Sequence, residues 1–431
     1  MADLEKSEDR TSWHAPTFVD ASAVSEHVAD HTEDAVEGGT KGWLTVFGSF
    51  LALFCTFGQL NSFGTFQSWY ADHQLSHESP SVISWIGSLQ LWVFFFSGGL
   101  IGRLFDERGP KALMALGTAL LVVSVMITSV LSSYPAFLVV QGIIFGLGAG
   151  LLFYPSLAAV SSHFQRYRGR ALGTAMAGSG LGGVVYPIMF RRLFSEVGFG
   201  WAVRISGFID LALCLVALAT VTARVPENRQ PRRWFESKLL EDLAFKLVVG
   251  GSVFISFGLF IPNFYIVDYA TAHGVSSTTA FYVLAIMNAA STVGRLAPPL
   301  LSDKRGHFNL IVPCAFLSGL AALVLWTTAH SRLGIIAFSV LFGFFSGGFN
   351  ALIIPCVAQI SDPETTGTRI GMLYTLISFS SMGGGPAAGA LLRRMGGSFI
   401  GLIALSGSSI IVGSIILFWA GRCKNSGMLA R

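Results

Sequence analysis

The chain has 431 residues, 52% hydrophobic and only 12% charged, with a mean hydropathy of +0.62. Soluble domains carry about twice that share of charge, and a soluble chain of this length could not hide so many apolar runs of about 20 residues. The net charge of +4 comes from basic residues in short connections between apolar segments, which is the wrong distribution for a nucleic-acid surface.

Residues 1–41 hold ten Asp/Glu against Lys6, Arg10 and Lys41, and read as a disordered acidic tail with no signal peptide. Twelve apolar segments follow, at roughly 43–66, 80–102, 111–133, 135–160, 169–193, 200–223, 245–268, 277–301, 308–329, 333–360, 368–392 and 397–420. Each can cross about 30 Å of hydrocarbon as a helix. The longer connection 224–244, with Arg224, Arg229, Arg232, Arg233 and Lys238, predicts a linker between halves 42–223 and 245–421, and 422–431 forms a short C-terminal tail. The fold class expected is an all-α membrane protein, twelve transmembrane helices in two pseudo-symmetric six-helix bundles.

Connections after segments 2, 4, 6 and 8 carry Arg108, Lys111, Arg166, Arg168, Arg170, the 224–238 cluster, Lys304 and Arg305, whereas 67–79 and 269–276 contain no Lys or Arg. Arg191, Arg192, Arg332, Arg393 and Arg394 run against this bias, but it still predicts both termini in the cytoplasm. The plasma membrane is the expected location. Cys55, Cys214, Cys314, Cys356 and Cys423 have no metal-ligand spacing and read as small core residues, so neither a metal nor a disulfide is implied.

The two halves repeat one another. Asp106-Glu107-Arg108-Gly109 returns as Asp303-Lys304-Arg305-Gly306, Pro155 as Pro355, Arg170 as Arg369 and Pro187 as Pro386, each about 200 residues later. A nearly constant offset over four landmarks points to an internal duplication, the build of a rocking secondary transporter.

Gly102-Arg-Leu-Phe-Asp106-Glu-Arg108-Gly109-Pro-Lys111 resembles the loop 2–3 signature of the major facilitator superfamily. Within it, Glu37-Gly38-Gly39 followed by Gly42-Trp43 is similar to the opening motif of the monocarboxylate porter family. So is the aromatic, basic, then small-residue run from His163 to Gly180. Gly-Phe-Gly-Trp at 198–201 and Arg369-Ile-Gly371 resemble the fungal branch. The likeness spans 37–420. It implies transport without a cofactor, an Arg of helix 8 holding a substrate carboxylate, and peripheral placement of helices 3, 6, 9 and 12. Members that cotransport protons carry an Asp where this chain has Ser291 and a Lys where it has Asn61, which puts simple proton–lactate symport in question.

Arg295 is the leading substrate-binding candidate. It lies eight residues before Asp303, about 12 Å along the helix from that turn. A guanidinium inside the membrane needs an anion or a strong acceptor, and its planar fork suits a carboxylate; a structural pair or snorkelling would also satisfy it. Asn61, Tyr154, Tyr186, Asn288, Asn350 and Tyr374 are further cavity candidates, beside Gln59, Gln141, Asn263 and Tyr265. Buried amides and phenols require partners that a wet cavity or a ligand can supply. Phe57, Phe63, Phe66, Phe153 and Phe349 would suit an aromatic substrate or simply fill interhelical space. Asp106, Arg108, Asp303 and Arg305 are expected to pair charges across the helix 2–3 and 8–9 turns and so gate one end, unless the cations serve topology alone. Asp210, about 240° around its helix from Arg204, is either a proton-coupling group or a structural acceptor.

The glycine runs at 146–150 and 178–183 lie inside apolar segments without a Walker lysine, so they serve helix packing rather than phosphate binding. No ATPase motif or catalytic triad occurs, and an enzyme is not expected. The reading is a secondary-active transporter moving a small organic acid, monocarboxylate-like or a related metabolite, by alternating access. Efflux of a fungal secondary metabolite is the alternative, and a non-transporting nutrient sensor a third. The partners expected are a small-molecule substrate, the lipid bilayer and a coupling proton, with no nucleic acid and a monomeric state.

Overall fold

A computed structural model describes residues 38–78, 80–224, 242–362 and 365–425, most of them helical and the rest in short connections. Most of the acidic tail, the 224–244 linker and the C-terminal tail therefore lies outside the described residues. At the edges the helices extend further than hydropathy predicts. The first begins at Gly39, inside the expected tail, and the last continues to Asn425.

The rods are α1 Gly39–Asp72, α2 Val82–Arg108, α3 Pro110–Thr128, α4 Tyr134–His163, α5 Arg168–Glu196, α6 Gly198–Thr220, α7 Leu243–Ala272, α8 Ser277–Arg305, α9 His307–Trp326, α10 Arg332–Gln359, α11 Thr366–Arg394 and α12 Ile400–Asn425. Local chemistry sets their ends. Asp242, Ser276 and Ser331 cap α7, α8 and α10 by accepting the orphan amides of Ala244, Thr279 and Gly334. Gly109 and Gly306, the glycines of the repeated motif, take left-handed φ of 73° and 90°, which lets the chain reverse in one residue. Pro155, Pro187, Pro355 and Pro386 lie inside α4, α5, α10 and α11. Each removes one ladder hydrogen bond at a matching place in the two halves.

Among the described residues, nine helices are long and apolar enough to cross a membrane. The expectation was twelve spans. The other three, α5, α8 and α11, are 29 residues each but too polar to meet that measure. Their polarity has a location: α5 packs on α8 and α11 on α2, so all three sit where the first six helices meet the last six.

The packing pattern repeats with a shift of six helices. α1 lies against α5 and α6 as α7 lies against α11 and α12, and α3 against α4 as α9 against α10. Small residues make the closest approaches. A Cβ at Gly102 would strike the Gly367 carbonyl and one at Gly371 the Gly98 carbonyl, so α2 and α11 touch backbone to backbone.

Candidate functional site

The contacts between the halves cluster at the end carrying the basic loops. Asp106, last-turn residue of α2, accepts the Thr368 backbone N–H at 2.9 Å and its hydroxyl at 2.7 Å, at the start of α11. Asp303, its repeat on α8, accepts the N–H groups of Gly169 at 2.8 Å and Arg170 at 3.0 Å, at the start of α5. Both carboxylates thus reach across to the facing half. The carboxylates hold the orphan amides and positive dipole ends of opposite-half helices, while Arg108 and Arg305 are exposed. With Gly102 against Gly367, these clasps join the two halves at this end.

Deeper in the bundle, Arg295 of α8 is buried, 7% exposed, and its guanidinium donates to the Ser179 hydroxyl of α5. Its Nε has no hydrogen-bond partner among the described residues. Tyr374 of α11 is close enough to interact with it electrostatically. Tyr374 stacks on Phe95 of α2, with ring centroids 5.7 Å apart and planes 4° apart, and contacts Phe153 and Tyr154 of α4. Helices α2, α4 and α11 thus meet in an aromatic cluster around Tyr374, which faces the Arg295 held between α8 and α5. Such a group can take a carboxylate or enolate through its free fork edge while a flat apolar body lies on the rings.

Other candidates fall elsewhere. Tyr154 spends its hydroxyl on the Phe94 and Phe95 carbonyls at 3.1 and 3.3 Å, so it contributes a ring rather than a polar group. Tyr186 donates to Asp210, which also receives the Gln59 amide at 2.8 Å. Asn61 is exposed and lies against Gly183 of α5; Asn288 and Asn350 are half-buried on α8 and α10. Tyr265 and Asn263 donate to the backbone carbonyls of Gly385 and Leu259. Arg204 donates to the Ser129 hydroxyl and lies over Trp201. Sequence reasoning missed Ser179, Thr368 and Phe95. Ser179 stood in the His163–Gly180 motif without a role, and the other two carry no distinguishing signal.

A sequence profile described as the Major Facilitator Superfamily matches residues 49–384. The chain belongs to that superfamily. It is a multi-pass membrane transporter. Similar superfamily members include the MFS transporter asaE of Aspergillus flavus, 37% identical over 91% of this chain and 89% of its own. The aspyridones efflux protein apdF of Emericella nidulans is 37% identical over 95% and 83%, and the agnestins efflux protein of Paecilomyces divaricatus 34% over 97% and 96%. Among solved superfamily structures, the human organic anion transporter TETRAN superposes with a TM-score of 0.70 at 18% identity, covering 89% of this chain and 99% of that one. FucP in its outward conformation gives 0.65 at 17% identity, covering 88% and 98%. Both establish the fold alone.

Proposed function

We propose that this transporter exports an acidic, ring-containing secondary metabolite across the plasma membrane by alternating access. The observation that carries the reading is the buried Arg295, held by Ser179 on the facing half with its Nε unpartnered. An uncompensated guanidinium in the bundle interior is expensive, and an anionic cargo offsets that burden. The efflux names of the relatives favour export of a secondary metabolite over uptake of a small monocarboxylate. The likeness to monocarboxylate porters, through Glu37-Gly38-Gly39 and the α5 motif, supports an organic acid as cargo, while Ser291 and Asn61 favour a cargo larger than lactate.

In this reading the halves 42–223 and 245–421 rock as units about the linker 224–244, with both termini cytoplasmic and a monomer as the working form. The basic end then faces the cytoplasm, and the clasps of Asp106 and Asp303 hold the inner gate shut. Cargo leaving outward resets Arg295 for the next cycle.

The test is flux in proteoliposomes of the full chain, with a panel of aliphatic monocarboxylates and aromatic acids. Aromatic acids should move and Arg295→Ala should lower their flux about 30-fold or more, from loss of roughly 2–5 kcal/mol of charge-assisted binding. Unimpaired flux in that variant would refute the site.

A further inference from the structure

A second polar cluster lies inside the first six helices, away from Arg295. Asp210 of α6 is fully buried, and its two carboxylate oxygens accept the Tyr186 hydroxyl of α5 and the Gln59 amide of α1. The titratable groups facing it are Tyr186 from α5 and Cys55 from α1, with Cys214 of α6 beside Cys55. Among the described residues no ion pair includes it. A bare carboxylate in such a place is stable only with a bound cation or proton.

Gln59 also lines a small cavity between α1, α2, α3, α4 and α6, together with Gln90, Thr128 and Gln141. The Gln90 Oε1 is buried and lacks a hydrogen-bond partner, and the Gln141 Oε1 receives the Tyr70 hydroxyl at 2.8 Å. Gln141 is placed there by a π-helical stretch, Leu138–Ile144, a distortion common at functional sites. Thr128 ends α3, which starts from the basic-end turn at Gly109, so the cavity lies on the side of the bundle away from the basic loops. Four polar side chains around a void, one with an unmet acceptor, suit ordered water.

We propose that Asp210 is the proton-binding group of this transporter, filled through that cavity from the end opposite the basic loops. A proton leaves cavity water, adds to a spare lone pair of the Asp210 carboxylate, and returns to water on the other side after the halves rock. The two carboxylate oxygens take hydrogen bonds from Tyr186, Gln59 and Cys55, and of about four lone-pair sites one stays open for the proton. The groups aimed at Asp210 are donors, which suit a carboxylate that gains and loses a proton better than an oxygen cage for sodium. The coupling element is α5. Tyr186 and Ser179 lie seven residues apart on it, two turns or about 10 Å. Neutralising Asp210 weakens the charge-assisted bond from Tyr186, loosening the helix whose Ser179 holds Arg295. The inference rests on the export reading only for direction, a proton entering as cargo leaves.

The experiment is infrared difference spectroscopy on the full chain in lipid, stepping from about pH 8 to about pH 5 in sodium-free buffer. The protein should gain a protonated-carboxyl band that Asp210→Asn lacks entirely. Tyr186→Phe should shift the midpoint of that band, and Gln90→Leu should slow its hydrogen–deuterium exchange several-fold. A band retained in Asp210→Asn, no titration in wild type, or a response that requires sodium overturns the proposal. The readout needs no cargo, so its failure leaves Arg295 untouched, and failure of the flux test leaves Asp210 standing.

Discussion

Asp106 and Thr368 stand 262 positions apart, yet the carboxylate receives both the backbone N–H and the hydroxyl of that one threonine. The same kind of contact recurs from Asp303 to Gly169 and Arg170, so the duplicated motif joins the two halves twice at one end. Each clasp ends on a helix start, where a carboxylate meets unpaired amides and the positive end of the dipole.

Neutralising one clasp should therefore loosen that end without unfolding the bundle. Asp106→Asn and Asp303→Asn should each weaken closure by about 1 kcal/mol. Labelling of a cysteine placed just beneath the gate should rise about fivefold in either variant and further in the double one. Arg108→Gln and Arg305→Gln, at exposed positions, should leave labelling unchanged.

The backbone contact of α2 with α11 leaves no space for side chains at Gly102 or Gly371. Gly371→Leu should prevent closure and lower flux about tenfold or more, in line with an overpacking strain of about 1–3 kcal/mol. Unchanged flux would show that this approach is not required in the cycle.

At the cargo site a point charge should not replace a fork. Arg295→Lys keeps the charge but loses the planar donors, so apparent affinity for an aromatic acid should fall about tenfold. Tyr154→Phe, whose hydroxyl serves only the carbonyls of Phe94 and Phe95, should leave affinity unchanged and lower stability by about 1 kcal/mol. A concentration series of initial rates separates the two.

Arg369 of α11 reaches the Asp242 carboxylate at 3.0 Å and the Ile360 carbonyl at 2.7 Å, joining the starts of α7 and α11 to the end of α10. Both partners of the ion pair are largely shielded, 9% and 16% exposed. Arg369→Ala leaves an uncompensated carboxylate, and thermal unfolding in detergent should reveal a loss of about 3 kcal/mol. Asp242→Asn should recover part of that loss in the double variant.

Much of this was legible along the chain. Apolar length located the helices, because a membrane demands helices that satisfy their own backbone groups. The repeats of Asp106 in Asp303 and Pro155 in Pro355 disclosed the duplication. Hydropathy was least informative for α5, α8 and α11, whose polar groups answer to one another across the bundle instead of to lipid. The role of Asp106 was also out of reach. It accepts one backbone amide together with the Thr368 hydroxyl, and nothing in the sequence marks either as its partner.

The sequence by itself determined the class of molecule, the halves and the isolated Arg295, since burial of apolar surface and scarcity of charge are properties of composition and order. Only the tertiary structure decided partners: Ser179 for Arg295, Thr368 for Asp106, and Tyr186 with Gln59 for Asp210. Hydrogen bonds reach about 3 Å, and which donors come within that reach depends on how distant helices cross.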